Sequence, residues 1–310
     1  MFYCKKASQT QHDPGLEDGS PDPYTSSLGL RPTCDPRSRR LAVTKPGYVH
    51  GYSEKESSRL SDQANTLDPL LHGDTSYPPG STVLECGCGT GAQTLILARN
   101  NPEARITSVD LSQDSLEKAA ALIENEGLSN VTFQRADVFA LPFEEEAFDH
   151  VFVCFVLEHL QDPAGALACL KKVLEKNGSI TVIEGDHGSW YCYPESREAR
   201  RTVECLIEAQ AHLGGNSLIG RQLFPLLMKA GFRDIRVSPR MVYADSSKPG
   251  LVEGFSKRTF IAMVEGARER SLSLNLIGEE AWEKGIRDMY RATESDGTFC
   301  YTFFKGVGKK

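Results

Sequence analysis

Apolar residues recur along this chain with two periods. Between residues 81 and 184, short apolar runs alternate with stretches of helical spacing. The runs at 81–86 (STVLEC), 105–110 (RITSVD), 131–135 (VTFQR), 148–154 (FDHVFVC) and 179–184 (SITVIE) predict five strands. Segments 91–100, 113–126 and 163–176 predict the helices between them, the last with Leu167, Leu170, Val173 and Leu174 facing inward. Upstream, Leu60, Ala64, Leu67, Leu70 and Leu71 mark one face of a helix that Ser53 can cap, and Tyr77-Pro-Pro-Gly80 stops it. After 185 the rhythm changes to helices at 194–212 and 219–230, a strand at 232–243, helical stretches at 249–270 and 278–294, and a last strand at 298–307. Short apolar strands separated by helices predict an α/β fold with a parallel, doubly wound sheet covered on both faces.

Residues 1–45 break this pattern. Six of the 16 prolines fall within the first 46 residues, among Ser, Thr, Gly and mixed charges, and no amphipathic face is visible. Such a segment cannot bury enough surface to offset its ordering entropy, so 1–45 is expected to be a disordered leader and 46–310 one domain. Within it, 46–78 forms an N-terminal helical cap, and 190–295 carries helical additions on the substrate side.

Composition narrows the function classes. The chain has 310 residues, 35 Lys+Arg against 42 Asp+Glu, and a net charge of −7. An acidic balance without a Lys/Arg block argues against a nucleic-acid partner, because backbone binding is largely phosphate neutralisation. The longest apolar run, Val151 to Leu157, has seven residues, whereas a membrane-spanning helix needs about 20. Nine cysteines include no C-x-x-C pair, and no His stands at zinc-ligand spacing from Cys86-Gly-Cys88, so no metal is expected. An odd cysteine count, no apolar signal region and an acid-bearing N-terminus lead to a cytoplasmic expectation with free thiols.

The residues that carry chemistry begin at Val83-Leu-Glu-Cys-Gly-Cys-Gly-Thr-Gly91, an apolar strand running into three alternate glycines and then a helix. Gly87, Gly89 and Gly91 let the backbone turn tightly and approach a ligand without Cβ atoms in the way. Asp110 stands at the end of the second strand, 23 residues beyond Gly87, where an acceptor for two ribose hydroxyls belongs. Dinucleotide sites use G-x-G-x-x-G. Here the spacing is G-x-G-x-G, and Glu85 lies two positions before the first glycine. That carboxylate would repel a pyrophosphate and suit a ligand bearing an ammonium and a sulfonium.

The segment Glu-Cys-Gly-Cys-Gly-Thr-Gly resembles the first motif of class I S-adenosylmethionine-dependent methyltransferases, closest to the ubiquinone/menaquinone-biosynthesis-like small-molecule group. The likeness is good over 80–190 and looser to the end. It implies a Rossmann-like seven-stranded sheet of order 3-2-1-4-5-7-6 with strand 7 antiparallel, and S-adenosyl-L-methionine as cofactor. It further implies that Asp110, followed by Leu111, holds the ribose, that Asp137 and the Val138 N–H bind the adenine, and that the backbone at Cys154 and Phe155 faces the methionine part. No Asn/Asp-Pro-Pro-Tyr/Phe follows strand four, and Glu184 stands alone where arginine methyltransferases carry paired glutamates. Both departures favour a small-molecule acceptor.

Several residues carry two readings each. Tyr52, in His50-Gly-Tyr-Ser, either contacts the sulfonium or acceptor or anchors the helix start. Arg59 either pairs with the methionine carboxylate or is a solvated helix residue. His159, after strand four, is either a general base or a packing residue. Glu184, Asp186 and His187 after strand five, beside Trp190 and Tyr191, form an expected acceptor pocket at the carboxyl edge. Two other classes remain open: a SAM-binding regulatory or protein-methylating module, and an NAD-dependent oxidoreductase, against which the glycine spacing and Glu85 count.

Overall fold

The structure is a computed structural model and describes residues 54–310. The leader 1–45, His50, Tyr52 and Ser53 lie outside the described residues. The first elements are α1 (Glu54–Leu71), β1 (Thr82–Cys86), α2 (Ala92–Asn100), β2 (Arg105–Asp110), α3 (Gln113–Asn125), β3 (Val131–Arg135), β4 (Phe148–Cys154) and α4 (Pro163–Val173). They are followed by β5 (Leu174–Tyr193), α5 (Arg197–His212), α6 (Leu223–Lys229), β6 (Arg233–Ala244), α7 (Pro249–Leu251), α8 (Ala262–Gly266), α9 (Arg268–Ser273), α10 (Glu279–Arg291) and β7 (Thr298–Lys309). A 3-10 turn, Leu157–His159, joins β4 to α4, and another, Ile219–Gln222, leads into α6.

The seven strands form one sheet in the order β3-β2-β1-β4-β5-β7-β6. β1 to β5 are parallel, and β7 runs antiparallel to both β5 and β6. Because successive strand residues face opposite sides, the apolar runs feed two separate cores. Val83, Phe152, Cys154, Ile183, Phe299, Tyr301 and Phe303 pack on one face with α1, α2, α5 and the helices after β6. Leu84, Val151, Val153, Ile180 and Val182 pack on the other with α4 and α6. Among the described residues, no helix is long and apolar enough to cross a membrane.

Three elements differ from the sequence expectation. β5 does not stop at Glu184, because β7 supplies a backbone partner for Ser179 to Asp186 and again for Tyr191 to Tyr193, with a register shift between. Helix 219–230 is divided into the 3-10 turn and α6. The helical stretch after Pro249 is wound as a π-helix over Val252–Ile261, a register that apolar spacing does not announce.

Two contacts lock the C-terminal strand and helices in place. Lys305, 3% exposed, donates to Leu71 O, Asp74 Oδ1 and Thr75 Oγ1, so its ammonium covers the carbonyl end of α1. At Gly285 of α10, a Cβ would lie 2.0 Å from Thr202 Oγ1 and 2.7 Å from Glu198 O on α5. The missing side chain is therefore what lets these two helices touch. Six described cysteines, Cys86, Cys88, Cys154, Cys192, Cys205 and Cys300, are free and buried.

Candidate functional site

The loop after β1 takes its shape from its glycines. Gly87, Gly89 and Gly91 have φ of 76°, 52° and 87°, in the left-handed region. A Cβ at Gly87 would lie 2.5 Å from Val156 Cγ2, and one at Gly91 would lie 2.9 Å from Ala119 Cβ. At Gly89 nothing lies within 4 Å. The outer glycines are thus required by packing, and the middle one presents open backbone. Burial pushes the Cys86 thiol in this loop up to about 12 and Cys88 higher still, so both stay protonated.

Asp110 at the end of β2 is tied to that loop. Its Oδ2 accepts the Gly89 N–H at 2.9 Å, and its Oδ1 accepts the Ser112 N–H at 2.9 Å. Each carboxylate oxygen keeps a further lone pair for a ligand. Leu111 beside it is 54% exposed, an apolar surface next to a polar one, and its carbonyl is held by Arg135 Nε. Asp137 Oδ1 accepts the Phe139 N–H at 2.9 Å, and Val138 is buried in the adjoining core. An open glycine backbone, a partly committed carboxylate and an apolar neighbour fit a ribose-bearing ligand.

Glu85 is not at the surface of the loop. It is 2% exposed, and its Oε2 accepts from Thr94 Oγ1 at 2.7 Å and Ser108 Oγ at 2.6 Å. Burial raises its pKa to about 7, against the opposing effect of the two hydroxyls. It ties α2 to β2 beneath the loop.

At the carboxyl ends of β4 and β5, buried polar groups crowd together. Phe155 takes a left-handed φ of 57°, which turns the chain out of β4 after the buried Cys154. Glu184 Oε1 accepts the N–H groups of Val156 at 3.0 Å and Leu157 at 2.7 Å, while its Oε2 is buried with no partner. Glu158, from the turn after β4, lies within charge range of Glu184. Burial and that second carboxylate push Glu184 well above the ordinary carboxylate range. Burial acts on Glu158 in the same direction but is outweighed by its polar surroundings, His159, Gln210 and Arg59 among them, so its pKa is lowered. Two glutamates 26 positions apart in sequence thus have their pKa values pushed in opposite directions by unlike environments.

The other expected residues of this edge divide into supports and site groups. Asp186, 2% exposed, is clamped by Arg221 through Nε at 2.7 Å and Nη2 at 2.8 Å. His187 Nδ1 lies 2.7 Å from the Tyr301 hydroxyl, and its Nε2 is buried and unpartnered. His159 Nε2 lies 3.7 Å from Glu158 Oε1 with its side chain 30% exposed. Arg59 is 8% exposed, not solvated; it donates to Gln63 Oε1 at 3.0 Å and lies within charge range of Glu158 and His187. Trp190 is buried, whereas Tyr191 is 51% exposed. Sequence reasoning missed Glu158, Gln210, Arg221 and Tyr301. A tyrosine inside an apolar strand reads as core, and nothing local marks the other three.

The chain is similar to known methyltransferases in sequence and fold. Residues 84–182 match the family model described as a methyltransferase domain. An uncharacterized methyltransferase of Schizosaccharomyces pombe is 33% identical over 236 residues, covering 72% of this chain and 82% of that protein. A demethylmenaquinone methyltransferase of Lactococcus lactis is 31% identical over 120 residues, covering 38% of this chain and 48% of its own length. Among solved structures, the YcgJ protein of Bacillus subtilis superimposes with a TM-score of 0.51 at 17% identity, covering 79% of this chain and 98% of that one.

Proposed function

We propose that this chain, which belongs to the class I S-adenosylmethionine-dependent methyltransferases, transfers a methyl group to a small-molecule acceptor in a single in-line displacement. The cofactor supplies a methyl group on a sulfonium that is already a good leaving group. The work of the protein is therefore to hold, orient and exclude water, effects able to remove about 7–11 kcal/mol of barrier.

In this reading the loop Gly87–Gly91 and Asp110 hold the ribose side, with Leu111 alongside. Asp137 and the Val138 N–H take the adenine edge, and the backbone at Cys154 and Phe155 lines the methionine part. Glu85 adds negative charge beneath the loop. Arg59, near Glu158 and His187, belongs to the acceptor side rather than to the methionine carboxylate. His159 is the group placed to take a proton where the acceptor arrives protonated. Glu184 supports the turn after β4, because one of its oxygens already holds two backbone N–H groups.

The observation that carries the reading is the unit formed by Gly89 and Asp110. A small acceptor is supported by the absence of Asn/Asp-Pro-Pro-Tyr/Phe after β4, where Cys154-Phe-Val-Leu-Glu-His159 stands, and by the named substrate of the Lactococcus relative. Calorimetry with S-adenosylhomocysteine and with NAD, followed by an acceptor screen using labelled cofactor, tests it. S-adenosylhomocysteine should bind and NAD should not. Tight NAD binding without a response to S-adenosylhomocysteine would overturn the reading.

A further inference from the structure

Five consecutive residues of β5, Glu184-Gly-Asp-His-Gly188, are all committed to one neighbourhood, and at its centre is an imidazole. Glu184 fixes the turn after β4. Gly185 is small because Tyr301 reaches across it: a Cβ there would lie 2.4 Å from the phenol oxygen. Asp186 binds Arg221, and Gly188 leaves room for that guanidinium, whose Nη2 would lie 2.6 Å from a Cβ. The backbone N–H of His187 donates to Ser217 O at 2.9 Å, and its ring meets Phe260 edge-on with centroids 6.0 Å apart. The backbone, Nδ1 and one ring face of His187 are therefore all specified. Its Nε2 is not: it is buried and has no partner among the described residues.

The protonation of that nitrogen follows from its neighbours. Burial holds the Tyr301 phenol well above its ordinary pKa, so it keeps its proton. Burial also lowers the pKa of His187, against the raising effect of Glu158 and Asp186, with Arg59 and His159 adding to the lowering, so the ring is neutral. A phenol O–H donating to Nδ1 satisfies both groups. The reverse bond strands the phenolic hydrogen and the Nε2 lone pair together in the interior, and two unmatched groups cost more than one. The proton therefore sits on Nε2. A second buried donor points the same way. Trp190 Nε1, which can only donate, also lacks a partner, and its indole stacks on the same Phe260 at 6.0 Å and 13°.

We propose that Tyr301 is a positioning residue that fixes His187 with its proton on Nε2, and that this N–H binds an oxygen carrying an unshared pair on the methyl acceptor, a phenol, enol or carbonyl oxygen. His187 is then a donor to the acceptor and not the group that removes its proton. The identity of the ligand rests on the methyltransferase reading above; the position of the ring proton does not.

Histidine-labelled protein tests both parts through long-range 1H–15N spectra, which report the protonated nitrogen of each ring. His187, assigned by loss of its signal in His187→Gln, should carry its proton on Nε2 in the wild type, and Tyr301→Phe should convert it to a mixture. Both variants should bind S-adenosylhomocysteine as the wild type does. With S-adenosylhomocysteine present, phenol should shift the His187 Nε2 resonance. Benzylamine, an ammonium with no unshared pair at neutral pH, should not. A wild-type proton on Nδ1, an unchanged ring in Tyr301→Phe, a response to benzylamine alone or no response to either probe overturns the proposal. If Tyr301→Phe does not fold, the wild-type spectrum and the phenol titration still decide. Failure of the wild type to bind S-adenosylhomocysteine would sink the methyltransferase reading instead, and leaves the ring-proton measurement intact.

Discussion

Asp110 and Gly89 form one unit: the carboxylate at the end of β2 accepts the backbone N–H of the middle loop glycine at 2.9 Å. The residue expected to hold the ribose therefore also holds the loop that approaches it. Asp110→Ala should lose both, and charge-assisted hydrogen bonds contribute roughly 1.5–3 kcal/mol each. S-adenosylhomocysteine affinity should fall by at least about tenfold and by up to roughly a thousandfold. His159→Ala should bind this ligand as the wild type does. Calorimetric titration of both variants checks the difference, and equal losses would remove Asp110 from the ribose site.

Glu85 should make stability depend on pH near neutrality. Its folded pKa, about 7, lies above the ordinary 4.5, so the folded state holds the proton more tightly. The resulting stabilisation is fully present below pH 4.5 and is lost as pH rises through 7. The difference corresponds to about 3 kcal/mol. Glu85→Gln, which mimics the protonated form, should remove this slope from urea-denaturation curves measured between pH 5 and 8. An unchanged slope would mean that Glu85 is ionised throughout.

The glycines of the loop should separate folding from binding. Gly87→Ala forces a Cβ to within 2.5 Å of Val156 at a φ of 76°, and should destabilise the fold by more than about 2 kcal/mol. Gly89→Ala meets no atom within 4 Å and carries only the left-handed backbone cost of roughly 1 kcal/mol. Its main effect should be weaker S-adenosylhomocysteine binding. Denaturation and titration of the two variants should rank them in opposite orders.

Lys305→Met should loosen the anchor between α1 and β7. The substitution strips Leu71 O, Asp74 and Thr75 of a common donor at a position 3% exposed. Asp74 is exposed and keeps Arg240, but leaving the buried Leu71 O and Thr75 unmatched costs about 1–3 kcal/mol, enough to lower the melting temperature by roughly 5 °C in a domain of this size. Since α1 carries Arg59 and Gln63 to the edge of the site, acceptor turnover should fall with it.

What the sequence determined by itself was whatever short-range patterns encode. Alternating apolar runs and helical spacing placed the strands from Thr82 to Cys154 within a residue of their observed ends, and three alternate glycines after an apolar strand marked a tight loop before a helix. The likeness of that loop to a known motif then supplied the sheet order. Only the tertiary structure decided which side chains meet. His187 finds Tyr301 across 114 positions, and Lys305 finds Leu71 across 234. β5 runs nine residues past its expected end because β7, more than a hundred positions away, pairs with it. The Glu184 pKa is raised because burial and Glu158 act on it, and neither is visible from its own segment. Secondary structure follows from dihedral preference and from the burial of one face, which neighbouring residues set. Hydrogen-bond partners and proton affinities depend on distances and burial, which exist only once distant segments have packed together.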